Sequence, residues 1–130
     1  MKTHHINLDS QVEGNLFHLA IGNFDGIHLG HMQIINSLVK EAKKINKPSA
    51  ILSFDPHPRQ FFSRELDRYQ ILSQEKKQSI FKNLGVDHYF CLKFDETLSN
   101  LSPSDFITKI IVNQLKVEKL MVGYDFHFGK

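Results

Sequence analysis

The chain has 130 residues, of which 41% are hydrophobic and 23% charged, with a formal net charge of +2. That is the make-up of one soluble globular domain, long enough to bury roughly two-thirds of its unfolded surface without covalent staples. The weak charge and dispersed basic residues argue against nucleic-acid and membrane-surface partners, and the single cysteine, Cys91, rules out an intramolecular disulfide and suits a reducing cytoplasm.

From the amino terminus, Met1 to Ser10 holds His4, His5, Asn7 and Asp9 and lacks the apolar core of a signal peptide. No apolar run approaches the ~20 residues of a membrane span. Ile6 to Asn15 reads as a polar lead-in with at most a short edge segment. Phe17-His18-Leu19-Ala20-Ile21 is a short apolar run before glycine, which predicts a buried strand. His18 inside it is expected to be packed or at an edge rather than a ligand. From Leu29 to Asn46, Ile34, Ile35, Leu38, Val39, Ala42 and Ile45 recur at helical spacing. Lys40, Lys43, Lys44 and Lys47 fall mostly on the other face, and Pro48 ends the pattern. Ser49 to Phe54 is a second predicted strand, stopped by Asp55-Pro56-His57-Pro58. The unit so formed is strand, helix, strand, with the two strands parallel.

Arg59 to Arg68 reads as a loop. A helix follows, capped by Ser73, with Glu75 in its first turn, Ile80, Phe81 and Leu84 on one face, and Gly85 as terminator. Asp87 to Leu92 is a third strand holding Cys91, expected to be packed rather than reactive. Lys93 to Asn100 is a polar connection. In Leu101-Ser102-Pro103-Ser104-Asp105-Phe106, Ser102 is placed to cap, Pro103 to open the helix, and Leu101 to staple against Phe106. Ile107, Ile110, Ile111 and Leu115 continue the apolar face, and Lys119 to Gly123 is a fourth strand. Alternating strands and helices predict an α/β sandwich with a mostly parallel sheet. Ligands on such sheets lie beyond the carboxyl ends of the strands. The turns after Ile21, Phe54 and Gly123 are the richest in polar and aromatic residues, and in a parallel sheet they share one edge.

The first of these turns carries the densest chemistry. In Gly22-Asn23-Phe24-Asp25-Gly26-Ile27-His28-Leu29-Gly30-His31, a glycine turn leads from strand to helix. His28 and His31 are three residues apart, which in a helix puts both rings on one face of the first turn. Unpaired amides and the positive dipole end favour an anion there, and Gly30 leaves the backbone open to close approach. The bland alternative for each piece is a solvated histidine or an ordinary turn. A zinc site from His28, His31 and His57 has no cysteine or carboxylate arrangement to complete it.

The stretch resembles the His-x-Gly-His motif of the nucleotidyltransferase superfamily, and in its fuller form is similar to bacterial FAD synthetases. Phe54-Asp55-Pro56-His57-Pro58 resembles that family's Phe-x-Pro-His-Pro segment. Val122-Gly123-Tyr124-Asp125-Phe126-His127-Phe128-Gly129 resembles its Val-Gly-x-Asp-Phe-x-Phe-Gly segment. Three motifs in order span nearly all of the chain from residue 17 on. The resemblance implies a Rossmann-like nucleotidyltransferase fold, and adenylyl transfer from ATP to FMN, giving FAD and pyrophosphate with Mg²⁺. It implies that His28 and His31 hold ATP phosphates as the catalytic pair, and that Gly22, Asn23, Phe24, Asp25 and Gly30 shape the nucleotide pocket. His57, Pro58, Phe62, Asp125 and Phe128 would line the flavin or bridge the two ligands. The competing structural roles are core packing for Phe62 and Phe128, in a chain with 11 phenylalanines, and an Asx-turn for Asp125.

The family's adenylyltransferase part also has a later Ser-Ser-Thr-x-x-Arg-type segment and is joined to a riboflavin kinase domain. Neither occurs in this sequence. The expectation is therefore that residues 1–130 are the N-terminal part of an FMN adenylyltransferase domain, truncated at the C-terminus, with an exposed sheet edge that favours self-association. Two alternatives stay open: an inactive nucleotide- or flavin-binding fragment, and an adenylyltransferase with another acceptor, such as pantetheine phosphate or nicotinate mononucleotide.

Overall fold

The computed structural model describes residues 1–12, 16–22, 24, 29–55 and 74–122, without the side-chain surroundings of 29–31 and 74. Five strands form one sheet: β1 (Lys2–Ile6), β2 (Phe17–Ile21), β3 (Ser49–Asp55), β4 (His88–Lys93) and β5 (Val117–Val122). Their spatial order is β1-β4-β3-β2-β5. Every pairing is parallel, as the alternation of elements predicted.

Helix α1 (Leu29–Lys44) follows β2, and α2 (Gln74–Asn83) lies between β3 and β4. Both cover one face of the sheet. There Ile35 and Leu38 of α1 and Phe81 of α2 share a buried cluster with Ala20, Phe24, Ile51, Tyr89 and Cys91. The opposite face buries Leu19, Ile21, Leu52, Phe54 and Phe90 against Leu98, Phe106, Ile110, Ile111 and Leu115. Those partners come from the short α3 (Glu96–Ser99), from α4 (Pro103–Phe106) and from the π-helical turns that continue α4 over Ile107–Gln114, with Leu115 just beyond. With both faces covered, β2 and β3 are almost wholly buried, as parallel sheets require.

The helix ends are set by particular residues. α1 stops before Pro48: Asn46 takes a left-handed conformation (φ 58°), and Lys47 N donates back to Ala42 O at 2.8 Å. α2 ends the same way at Gly85 (φ 90°), with Val86 N donating to Phe81 O at 3.1 Å. The Ser102 hydroxyl accepts from Asp105 N at 3.1 Å, and Pro103 opens α4, as expected from sequence. Leu101 packs against the same cluster that holds Phe106.

Three sequence expectations need correction, and the first strand lies where none was predicted. The amino-terminal segment is a full parallel strand beside β4, with Lys2 opposite His88 and Ile6 opposite Leu92; it has no alternating apolar pattern because its face is made by His4 stacking on Phe90, with centroids 4.7 Å apart. The connection from Lys93 to Asn100 contains α3, capped by Asp95 Oδ1 accepting from Leu98 N at 2.9 Å. The last helix widens beyond Phe106, and Leu115 N donates to Ile110 O, five residues back. The wider turn buries Phe106, Ile110, Ile111 and Leu115 while Ile107, expected on the apolar face, is 40% exposed. Finally, β5 begins at Val117, two residues before the predicted start. The expected cap Ser73 and the Arg59–Arg68 loop lie outside the described residues.

Candidate functional site

The strand order creates a switch point. From β2 the chain moves to β3 and β4 on one side, then returns as β5 on the other side of β2. Ile21, the last residue of β2, lies opposite Leu52 of β3 and Val122 of β5. The three motif segments therefore leave the carboxyl ends of three adjacent strands, where open α/β sheets place their ligands. This is the relationship that sequence alone could not supply: a shared edge followed from parallel strands, but adjacency did not.

Of the first motif, the structure describes Gly22 and Phe24 and the backbone from Leu29 onward. Gly22 N donates to Leu52 O at 3.1 Å, tying the turn to β3. Phe24 sits at φ 51° and is fully buried. Its ring meets that of Phe81 edge-on at 5.5 Å. Phe24 thus sets the turn with its ring packed into the core. Gly30 and the backbone of His31 lie in the first turn of α1, which carries no acidic residue. The positive end of a helix dipole favours an anion. Asn23, Asp25, His28, His57, Pro58, Phe62, Asp125 and Phe128 lie outside the described residues, as does the side chain of His31.

Beneath this edge, on the α1–α2 face, is a polar layer that the sequence did not flag. Ser53 and Asp55 of β3 stand in register with Cys91 and Lys93 of β4. Ser53 Oγ and the Tyr89 hydroxyl are 2.5 Å apart and buried. Burial, more than any neighbour, raises the Tyr89 phenol above its ordinary range and pushes the Cys91 thiol up to about 11, with the Asp55 carboxylate adding to it. Both are held neutral at physiological pH and serve as packing and hydrogen-bonding groups, as expected for Cys91. Phe81 stands against Tyr89 at 5.2 Å, so Phe24, Phe81, Tyr89 and Ser53 form a continuous support from the first motif to β3. The signal available in the sequence was the period of two that puts Ser53 and Asp55 on one face.

His18 is not part of the site. It is 4% exposed at the amino end of β2, and its Nε2 is 3.0 Å from Glu118 Oε2 on β5. That satisfies the expectation of a packed histidine. Among the described residues no group of three or more His, Cys, Asp or Glu could hold a metal ion, and no helix is long and apolar enough to cross a membrane.

A family model described as FAD synthetase matches residues 11–130. The chain belongs to the FAD synthetase family. A bifunctional riboflavin kinase/FMN adenylyltransferase from Pseudomonas fluorescens is 40% identical over 110 residues, covering 85% of this chain and 35% of that protein. The protein of the same name from Escherichia coli (strain K12) is 35% identical over 111 residues, covering 85% and 36%. This FAD synthetase family chain thus spans about a third of the length of these relatives. A crystal structure described as a macrolide-efflux protein from Streptococcus pneumoniae superposes with a TM-score of 0.82 over 99% of this chain and 43% of that one. At 24% identity the likeness is one of fold.

Proposed function

We propose that this chain forms the nucleotide-binding part of an FMN adenylyltransferase, which transfers the adenylyl group of ATP to FMN and releases pyrophosphate. The observation that carries the reading is the adjacency of β3, β2 and β5, whose carboxyl ends lead into the three family motifs. Family membership and the bifunctional relatives support the choice of ATP and FMN as substrates. The chain's span of about a third of those relatives supports reading residues 1–130 as one part of such a protein.

In the reaction, an oxygen of the FMN phosphate attacks the α-phosphorus of ATP. The bond from that phosphorus to the oxygen bridging to the β-phosphate breaks, and pyrophosphate leaves. The attacking phosphate is already ionised, so the protein's task is alignment and stabilisation of charge on the transferring group. In this reading His28, His31 and the first amides of α1 hold the ATP phosphates, with Gly22, Asn23, Phe24, Asp25 and Gly30 forming the turn. His57, Pro58, Phe62, Asp125 and Phe128 hold the flavin or the bridge between ligands. Mg²⁺ would enter with ATP and neutralise its phosphates. The described part of β5 pairs only with β2 and ends at Val122, 51% exposed, which supports self-association along this edge.

The test is FAD formation by the 130-residue chain supplied with ATP, Mg²⁺ and FMN, followed by chromatography. FAD that disappears in His31→Ala supports the reading. Flavin binding without FAD would favour the inactive binding fragment. Neither binding nor turnover with FMN, but adenylylation of pantetheine phosphate or nicotinate mononucleotide, would assign another acceptor.

A further inference from the structure

Lys77 is the fourth residue of α2 and is only 2% exposed. It is the single buried lysine among the described residues. Lysine is almost never fully buried without compensation, because removing its ammonium from water is costly. Packing alone does not call for it, since an unbranched apolar side chain would fill a comparable volume.

Its place in the fold gives the charge a purpose. α2 runs from β3 back to β4, and those strands are parallel, so the first turns of α2 lie at the carboxyl edge of the sheet. Lys77 precedes Phe81 by one turn on the same stripe, and Phe81 is the residue on which Phe24 of the first motif rests. Lys77 is therefore nearer to the carboxyl edge than the Phe24–Phe81 contact. The Cys91 thiol, on the same face, senses the charges of both Lys77 and Asp55. Asp55 is the residue from which the Pro56-His57-Pro58 segment departs.

We propose that Lys77 is a positioning residue for the adenylyl-transfer site, its buried ammonium holding the carboxyl ends of β2 and β3, from which the first two motifs depart. This rests on the functional reading above and adds to it a residue outside all three motifs.

The test uses the 130-residue chain carrying Lys77→Met and, separately, Lys77→Arg. Hydrogen exchange is read on peptides covering residues 22–31 and 54–62 and on β4 as a control. We expect Lys77→Met to keep the protection of β4 while amides in both motif segments exchange about tenfold faster, and kcat/KM for FAD formation to fall by about tenfold or more, the scale of a small misplacement of reacting groups. Lys77→Arg, which keeps the charge, should recover most of both. Unchanged exchange in both segments, or protection lost evenly through the sheet, would overturn the proposal. If Lys77→Met does not fold, Lys77→Arg and Lys77→Gln decide by the same exchange readout. Absence of FAD formation in the unsubstituted chain would count against the functional reading alone, because the exchange result stands without it.

Discussion

The ring of Phe24 lies directly over Gly22: a β-carbon built on Gly22 would be 3.0 Å from Phe24 Cε2 and 3.1 Å from its Cζ. Phe24 reaches this position by adopting a left-handed backbone conformation, which is costly for a bulky residue and is kept where the surroundings over-determine it. The surroundings here are Phe81 and the buried cluster under α1 and α2. Gly22 is thus small because the ring must fold back, and the ring folds back to turn the chain from β2 toward α1. Gly22→Ala should therefore destabilise the fold by about 1–3 kcal/mol through overpacking, read as a lower urea midpoint at unchanged slope. Combining it with Phe24→Leu should recover part of the loss, and strict additivity would argue against the contact as the cause.

The first-motif histidines should separate chemistry from folding. His31→Ala is expected to lower FAD formation by about 10² to 10³, the cost of one lost donor to developing charge, with a melting temperature within a few degrees of the parent. His28→Ala should behave alike. Full turnover in both variants would remove the two histidines from the reaction.

A pH dependence follows from the other end of the sheet. His4 Nε2 and His88 Nδ1 are 3.1 Å apart, so one ring must donate and the other accept. Burial lowers the pKa of both, assisted by Lys2 and, for His88, by His4. A lowered folded-state value means that folding disfavours the protonated ring. The contribution to stability is complete above about pH 6.5 and is lost as pH falls through the folded values. Unfolding free energy measured from pH 7.5 down to 5 should fall in the parent chain, and His88→Gln should flatten the slope. An identical slope in the variant would move the effect to other groups.

Cys91 supplies the opposite sign. Its thiol is raised to about 11 in the fold by burial, so the neutral form is favoured, and its contribution to stability is complete below the ordinary value and is lost as pH rises toward 11. At pH 8 a disulfide reagent should leave Cys91 unmodified in the native chain and react fully in urea. Rapid modification of the native protein would show that β4 opens locally.

Much of the architecture was written in local patterns. The apolar runs at Phe17–Ile21 and Ser49–Phe54, the helical stripe from Ile34 to Ala42, and the Ser102-Pro103 start all gave elements where those residues stand. Each depends on near neighbours in sequence, through side-chain period or capping. β1 was not legible because its partner, β4, is more than eighty residues away, and a polar strand gains its stability from that pairing and from Phe90. The π-helical turns escaped for a related reason: the apolar residues from Phe106 to Leu115 suit an α stripe, and the wider winding shows only in the fold, where Phe106, Ile110, Ile111 and Leu115 join the buried cluster.

The site divides along the same line. The amino-acid sequence by itself determined the family, because the three motifs that carry the resemblance reside in residue type and spacing. Only the tertiary structure decided that β3, β2 and β5 lie side by side, that the Phe24 ring is buried against Phe81, and that Lys77 is buried. Strand order and burial are set by packing between distant segments, which no local spacing encodes.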